Sequence, residues 1–241
     1  MAVSDRGQGL PETSIVYRGT RHAVESTQEV CADMLVHEHF LTLTVNGNEV
    51  ARLSCTPRHL REMALGRLCT EGIIRSAGEV SHIGISPGAD RVAVTLTGEM
   101  PPRCRMSKLP QAAVDNAVVF ELARRFREDS EIHRRTSGTH SCYLHLPDGE
   151  IVGYEDISRH NALDKVVGHM LLAGADPAEC VIYTTGRVPA DMVQKVVMAR
   201  VPMLVSKAVP TDAGVKLAKE YGLQLLCKAW PDSYVIYRGE E

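Results

Sequence analysis

Hydrophobic spacing along this chain switches between two residues and three-to-four, and the switches mark its elements. Leu41-Thr42-Leu43-Thr44-Val45 alternates apolar and polar positions, as a strand covered on one face does. Asn46-Gly47-Asn48 follows, then Glu49-Val50-Ala51-Arg52-Leu53, which predicts a β-hairpin whose central turn residues take positive φ. Ile15-Val16-Tyr17 reads as an earlier strand. From Thr56-Pro57 the period becomes helical, with Leu60, Met63, Ala64, Arg67 and Leu68 on it. Thr56 is the expected N-cap, Pro57 the first helical residue and Gly72 the stop. Val80–Ile85 and Val92–Leu96 read as strands joined by Pro87-Gly88-Ala89-Asp90.

The run Pro101-Pro102-Arg103-Cys104-Arg105-Met106-Ser107-Lys108-Leu109-Pro110 has no apolar period and is bounded by prolines. It is the expected boundary. A mobile N-terminus over 1–12 precedes an α+β domain over 13–100, a mobile linker covers 101–110, and an α/β domain covers 111–241. That second part starts with a helix from Ala112 to Asp129, with Val114, Ala117, Val118, Leu122 and Phe126 inside. Cys142–Leu146 and Ile151–Tyr154 form a hairpin across Pro147-Asp148-Gly149. A helix beginning near Asn161 buries Leu163, Val166, Val167, Met170 and Leu171. Strands at Val181–Tyr183, Met203–Val205 and Leu223–Cys227 then alternate with helices at Pro189–Arg200 and Thr211–Tyr221. This order implies parallel strands joined by right-handed crossovers.

Composition narrows the function classes. The chain has 241 residues, 44% of them hydrophobic, enough for a substantial core in one large or two smaller domains. A net charge of −3 supplies no basic field for nucleic acid or an anionic membrane. Aromatic residues make up only 5%, which argues against a platform for single strands. No apolar run approaches the ~20 residues of a membrane span, and the first nine residues lack the apolar region of a signal peptide. Seven cysteines, odd in number and scattered, suit reduced thiols and a cytoplasmic location.

The chemistry concentrates between Tyr154 and Gly168. Glu155-Asp156, Arg159-His160-Asn161 and Asp164-Lys165 fall within one strand-to-helix loop and the first turns of the helix that follows. His160 and Asp164 are four residues apart, as are Asn161 and Lys165, so each pair shares a helix face. The apolar stripe points elsewhere, so His160 and Asp164 are expected to line a cleft. Two further loops leave the carboxyl ends of predicted parallel strands, where open sheets bind ligands. Thr184-Thr185-Gly186-Arg187 and Ser206-Lys207-Ala208-Val209-Pro210-Thr211 each offer hydroxyls, one cation and a helix N-terminus, a combination suited to a phosphate-like anion. Cys55, Cys69, Cys180 and Cys227 lie on apolar stretches and read as core, as does Cys142. No histidine has metal-ligand spacing to a cysteine or carboxylate, so no metal is assigned.

Glu155-Asp156-x-x-Arg159-His160-Asn161-Ala162-x-Asp164-Lys165-x-x-Gly168 resembles the signature of the formate dehydrogenase accessory sulfurtransferase family, FdhD. Thr56-Pro57, Leu65-Gly66 and Thr70-Glu71-Gly72-Ile73-Ile74 resemble its N-terminal blocks, with Arg67 where the family usually has Phe. Thr136-Ser137-Gly138-Thr139-His140 resembles Thr-Gly-Gly-x-His. Thr185-Gly186-Arg187 with Met192-Val193-x-Lys195, and Pro202, Ser206, Pro210-Thr211 and Leu217-Ala218, resemble its closing runs. The ordered blocks cover about residues 38 to 230.

The resemblance implies a cytidine-deaminase-like C-terminal fold, a homodimer and a bound molybdenum guanine dinucleotide cofactor, held in the C-terminal half. It implies that persulfide sulfur passes from a cysteine desulfurase to that cofactor for formate dehydrogenase. The expected cofactor contacts are His140, Glu155, Asp156, Arg159, His160, Asn161, Asp164, Lys165, Thr185, Gly186, Arg187, Ser206, Lys207 and Thr211. The family relay resembles Cys-Gly-x-Cys-Gly; here Cys104 fits the first cysteine and Ser107 stands at the second. Arg103, Arg105 and Lys108 are placed to favour a Cys104 thiolate. Two readings stay open, a sulfur carrier acting through Cys104 and a chaperone that binds the cofactor without transferring sulfur. A zinc deaminase is set aside, since the chain lacks His-x-Glu with Pro-Cys-x-x-Cys.

Overall fold

A computed structural model describes residues 11–24 and 26–237, so most of the expected mobile N-terminus lies outside the described residues. Strands β1 (Ser14–Ala23) and β2 (Ser26–Val36) form an antiparallel ribbon that pairs with no other strand among the described residues. Only Ile15–Tyr17 of it was legible, because Val16, Tyr17 and Leu35 are all exposed and no face of the ribbon carries a clean apolar alternation.

Strands β3 (His39–Val45) and β4 (Asn48–Cys55) are the expected hairpin, with Asn46 at φ 47° and Gly47 at φ 82° in its turn. The next helix, α1, covers Leu60–Thr70, and the expected start at Thr56 does not hold. Thr56 is buried, and its backbone N–H and hydroxyl both donate to Asp156 (3.0 and 3.1 Å). With Thr56 held there, Pro57 stays outside the helix and His59 takes the N-cap position at φ 55°. Strands β5 (Val80–Ile85) and β6 (Arg91–Leu96) complete a sheet of order β4-β3-β6-β5.

Residues 97–115 have no regular secondary structure, yet the segment expected to be a mobile linker is anchored. Cys104 N–H donates to Gly72 O (2.8 Å), Leu109 N–H to Tyr221 O (2.8 Å), and Arg200 donates to Lys108 O (3.0 Å). Helix α2 (Asn116–Asp129) starts later than the expected Ala112, because the Asp115 carboxylate caps it by accepting Ala117 N–H. A short helix α3 (Glu131–Thr136) follows, which the sequence pattern did not reveal.

Strands β7 (His140–His145) and β8 (Ile151–Asp156), helix α4 (Arg159–Ala173) and strand β9 (Val181–Thr184) come next. Helix α5 (Ala190–Met198), strand β10 (Met203–Ser206), helix α6 (Asp212–Tyr221) and strands β11 (Gln224–Trp230) and β12 (Ser233–Tyr237) finish the chain. They build a sheet of order β12-β11-β10-β9-β7-β8, in which β9, β10 and β11 are parallel as expected. Helix α2 covers one face through Val119, Leu122 and Ala123 against Tyr143, Tyr183, Val205 and Leu226. The other face meets α4 and α5, and one continuous apolar cluster runs from there through α1 to Leu41, Leu43, Val92 and Val94 of the first sheet. The architecture is a mixed α/β fold.

Helices α1 and α4 touch backbone to backbone. A Cβ on Gly66 would lie 1.7 Å from Asp164 O, and one on Gly168 would lie 1.8 Å from Glu62 O. Neither helix can retreat, since α1 is also packed on the first sheet and α4 on the second. Gly66→Ala and Gly168→Ala should each destabilise the protein by about 3 kcal/mol, the upper end for overpacking a core. Thermal unfolding should show melting points lower by roughly 6–12 °C; a drop of under ~2 °C would contradict the close approach.

Candidate functional site

The polar run at the start of α4 divides into two buried clusters. Asp156 is fully enclosed, and its carboxylate accepts from Thr56 N–H and hydroxyl, Ser158 N–H (3.1 Å), Asn161 Nδ2 (3.0 Å) and Lys165 Nζ (2.7 Å). Lys165, also fully enclosed, spends its other protons on Thr56 Oγ1 (2.7 Å) and Glu155 O (3.0 Å). Asn161 and Lys165 do share a face, and what they grip is one carboxylate at the end of β8. On the neighbouring face Asp164 accepts from Lys195 Nζ (2.7 and 2.8 Å) and Thr70 Oγ1 (2.7 Å), while His160 Nε2 lies 3.0 Å from Asp191 Oδ2. Asp191 and Lys195 are themselves four apart on α5, so two i,i+4 pairs meet across the helix interface.

These contacts correct part of the sequence expectation. Asp156, Asp164 and Lys165 were expected at a cofactor; they are interior groups whose bonding capacity is filled by the protein, and Asp164 does not line a cleft. Glu155 is similarly engaged, its carboxylate accepting Ile132 N–H (2.8 Å), His133 N–H (2.7 Å) and Thr139 Oγ1 (3.0 Å), which caps α3. Thr211 caps α6 by accepting Gly214 N–H (3.1 Å). Thr56, Thr70, Asp191 and Lys195, which complete the clusters, were not among the expected site residues.

Other expected residues do converge. At the carboxyl ends of β9 and β10 a cavity of about 290 Å³ is lined by His140, Thr185 and Lys207, together with Phe126, His133, Ser137, Gly138, Thr139 and Ile157. Its floor is set by the two strand-end loops. Gly186 N–H donates to Thr184 Oγ1 (3.2 Å), Ser206 Oγ donates to Gly186 O (2.8 Å), and Ser141 N–H donates to Thr185 Oγ1 (3.0 Å). Gly186 is needed there, because a Cβ would lie 2.8 Å from the Arg159 side chain. Arg159 Nε is buried without a hydrogen-bond acceptor. Arg187 is exposed outside this group. Phe126, His133, Ser137, Gly138, Thr139 and Ile157 were not among the expected site residues; Phe126 reads in the sequence as helix interior, and the short helix that carries His133 has no apolar period to mark it.

Cations dominate this end of the sheet. Burial pushes the His140 imidazole below its ordinary pKa, and the charges of Arg159, His133 and His160 push it further the same way. His160 is lowered by burial too, with Asp191 opposing. Arg159, beside His140, and Lys207 on the cavity wall are the cationic side chains here, and together they suit an anion.

Cys104 is half-buried at a second cavity, of about 440 Å³, with Thr70, Glu71, Arg103, Arg105, Met106, Gln194, Met198 and Tyr221. Arg103 pairs with Glu71 (3.0 Å), which also pairs with Arg67 (2.9 Å), so its charge is shared with that carboxylate. Cys55, Cys69, Cys142, Cys180 and Cys227 are buried, and desolvation pushes each thiol up to about 12. Ser107 is held by Arg200.

The sequence pattern of the FdhD/NarQ family matches residues 36–103 and 93–241. The chain belongs to this family. A sulfur carrier protein FdhD from Shouchella clausii is 31% identical over 217 residues, 78% of this chain and 81% of that protein. One from Methanothermobacter thermautotrophicus is 30% identical over 221 residues, 84% and 88%. The crystal structure of a protein from Desulfotalea psychrophila, described as a formate dehydrogenase accessory protein, superposes with a TM-score of 0.83. It is 26% identical and spans 94% of this chain and 97% of that one.

Within the FdhD/NarQ frame, the densest motif therefore serves the interior, and the open chemistry lies at the strand-end cavity and at Cys104. His140 makes the cavity's electrostatics measurable. Its folded pKa lies below the unfolded value of about 6.5, so between the two values the unfolded chain binds more protons. Stability should then fall as pH drops below about 6.5, until the folded pKa is reached. Urea unfolding across pH 5.5 to 7.5 should show this slope and a shallower one in His140→Gln. Identical slopes in the two proteins would contradict the burial of His140 beside these cations.

Proposed function

We propose that this protein is a sulfur carrier that serves formate dehydrogenase through its molybdenum guanine dinucleotide cofactor. In this reading a cysteine desulfurase loads Cys104, and the nucleotide end of the cofactor, a substrate here, binds the strand-end cavity. The observation that carries it is the pairing of a half-buried thiol that lines a cavity with a separate cavity, lined by Lys207, at the carboxyl ends of parallel strands. Arg159 and Lys207 supply charge to phosphate, His140 supplies a ring N–H, and Thr185 supplies a hydroxyl. The remaining expected contacts, Arg187 apart, hold this scaffold in place. A homodimer and a deaminase-like ancestry for the C-terminal sheet belong to the same reading.

Loading exchanges one sulfur–sulfur bond for another. The Cys104 thiolate attacks the outer sulfur of the desulfurase persulfide, the desulfurase cysteine leaves as thiolate, and Cys104 carries the persulfide. Release as hydrosulfide takes a second thiol attacking the inner sulfur, and leaves a disulfide. Ser107 cannot do this, and the neighbouring Cys69 thiol is pushed up to about 12 by burial. An external thiol of the small-molecule or protein class therefore completes release.

The serine at 107 also favours a second reading, a chaperone that binds the cofactor without carrying sulfur. Intact mass after incubation with a desulfurase and cysteine separates the two. The carrier should gain about 32 Da, one sulfur atom, and Cys104→Ser should gain nothing while binding GDP within about twofold of wild type. Loading of Cys104→Ser would overturn the assignment of the thiol; an unloaded wild type that binds GDP would leave the chaperone.

A further inference from the structure

We propose that Trp230 is the surface on which a purine base stacks when a purine nucleotide occupies the strand-end cavity. This rests on the nucleotide reading above and adds the residue that recognises the base.

Trp230 ends β11, one strand over from Ser206 at the end of β10, and so stands beside Lys207. A register irregularity between Cys227 and Trp230, with Lys228 at φ 51°, bends this strand end. Lys228 N–H donates to Ala208 O (3.0 Å), which ties the bend to the loop carrying Lys207. Bulges of this sort redirect side chains at sheet edges and beside sites. Here the result is an ammonium between two rings. Lys207 Nζ lies 4.3 Å from the centre of Phe126 and 5.3 Å from that of Trp230. The cation sits over one face of the indole, and yet the residue remains 41% exposed.

A large aromatic left open is apolar area that the fold does not use. Its neighbours match what a nucleotide presents. Lys207 offers charge and His140 a ring N–H for phosphate, and the exposed indole surface offers a π-face for a base. His133 Nδ1 donates to Thr139 O (2.7 Å), which only accepts, and so fixes the ring at the cavity wall. Purines stack over a larger area than pyrimidines, which favours them at this site.

Trp230 is the chain's single tryptophan, so its emission reports on this position alone. GDP and pyrophosphate are titrated into the full chain with fluorescence and calorimetry in parallel. GDP should quench the emission saturably with the calorimetric midpoint, while pyrophosphate should bind without quenching. Trp230→Ala should weaken GDP by about tenfold, within the range for losing one base–aromatic stack, and leave pyrophosphate within about twofold. Trp230→Phe, which keeps a ring, should stay within about threefold for GDP and guards against a folding defect in the alanine variant. Unchanged GDP affinity in Trp230→Ala, or GDP binding without quenching, overturns the stacking role while the cavity reading stands. Failure of wild type to bind either probe overturns the cavity reading and this inference with it.

Discussion

The contact of α1 with α4 is the constraint on which the rest depends. Where Gly66 and Gly168 meet the opposite backbone, the helices close to a distance that no side chain permits. That closeness brings the Thr56–Asp156–Lys165 cluster and the Thr70–Asp164–Lys195 cluster within hydrogen-bond range. It also carries one apolar cluster across both halves of the chain. Helix α4 is thereby fixed between the two sheets, and its first turn, with Arg159 and His160, is held beside the strand ends.

The two buried ion pairs have a cost and a use. Taking Asp156, Lys165, Asp164 and Lys195 out of water is unfavourable, and their attraction compensates only because nearly every remaining lone pair and proton is satisfied. A merely apolar interface would let α4 slide or rotate on α1. Paired charges at fixed positions admit one register, which is the best-attested use of such groups. Adjacent residues of opposite sign, Asp164 and Lys165, point to different partners and so fix rotation as well as translation.

Much of the fold was legible because its signals are local. The Asn46-Gly47 turn, the parallel order of β9, β10 and β11 and the extent of α6 each follow from a few neighbouring residues. Where the expectations failed, long-range contacts had overruled local ones. Thr56-Pro57 reads as a helix start, but Asp156, a hundred residues on, takes the threonine. Asp164 and Lys165 read as exposed site groups because no local pattern shows a helix, α1, that will cover them. His133 was invisible as a cavity residue, since its role depends on Thr139 and Phe126 brought together by the turn after α3. The family signature was plain in sequence, and its physical content is largely the positioning of α4.

Function then separates from the motif that announces the family. The cavity with His140, Thr185 and Lys207 and the cavity with Cys104 share no lining residue. A substrate anchored at one and sulfurated at the other must extend between them, or the anchored loop around Cys104 must release. Hydrogen–deuterium exchange with and without GDP tests this division most directly. The account predicts slowed exchange in residues 137–141, 184–188 and 206–209, with 101–110 unchanged. Protection centred on 101–110, with the strand-end loops unaffected, would contradict it.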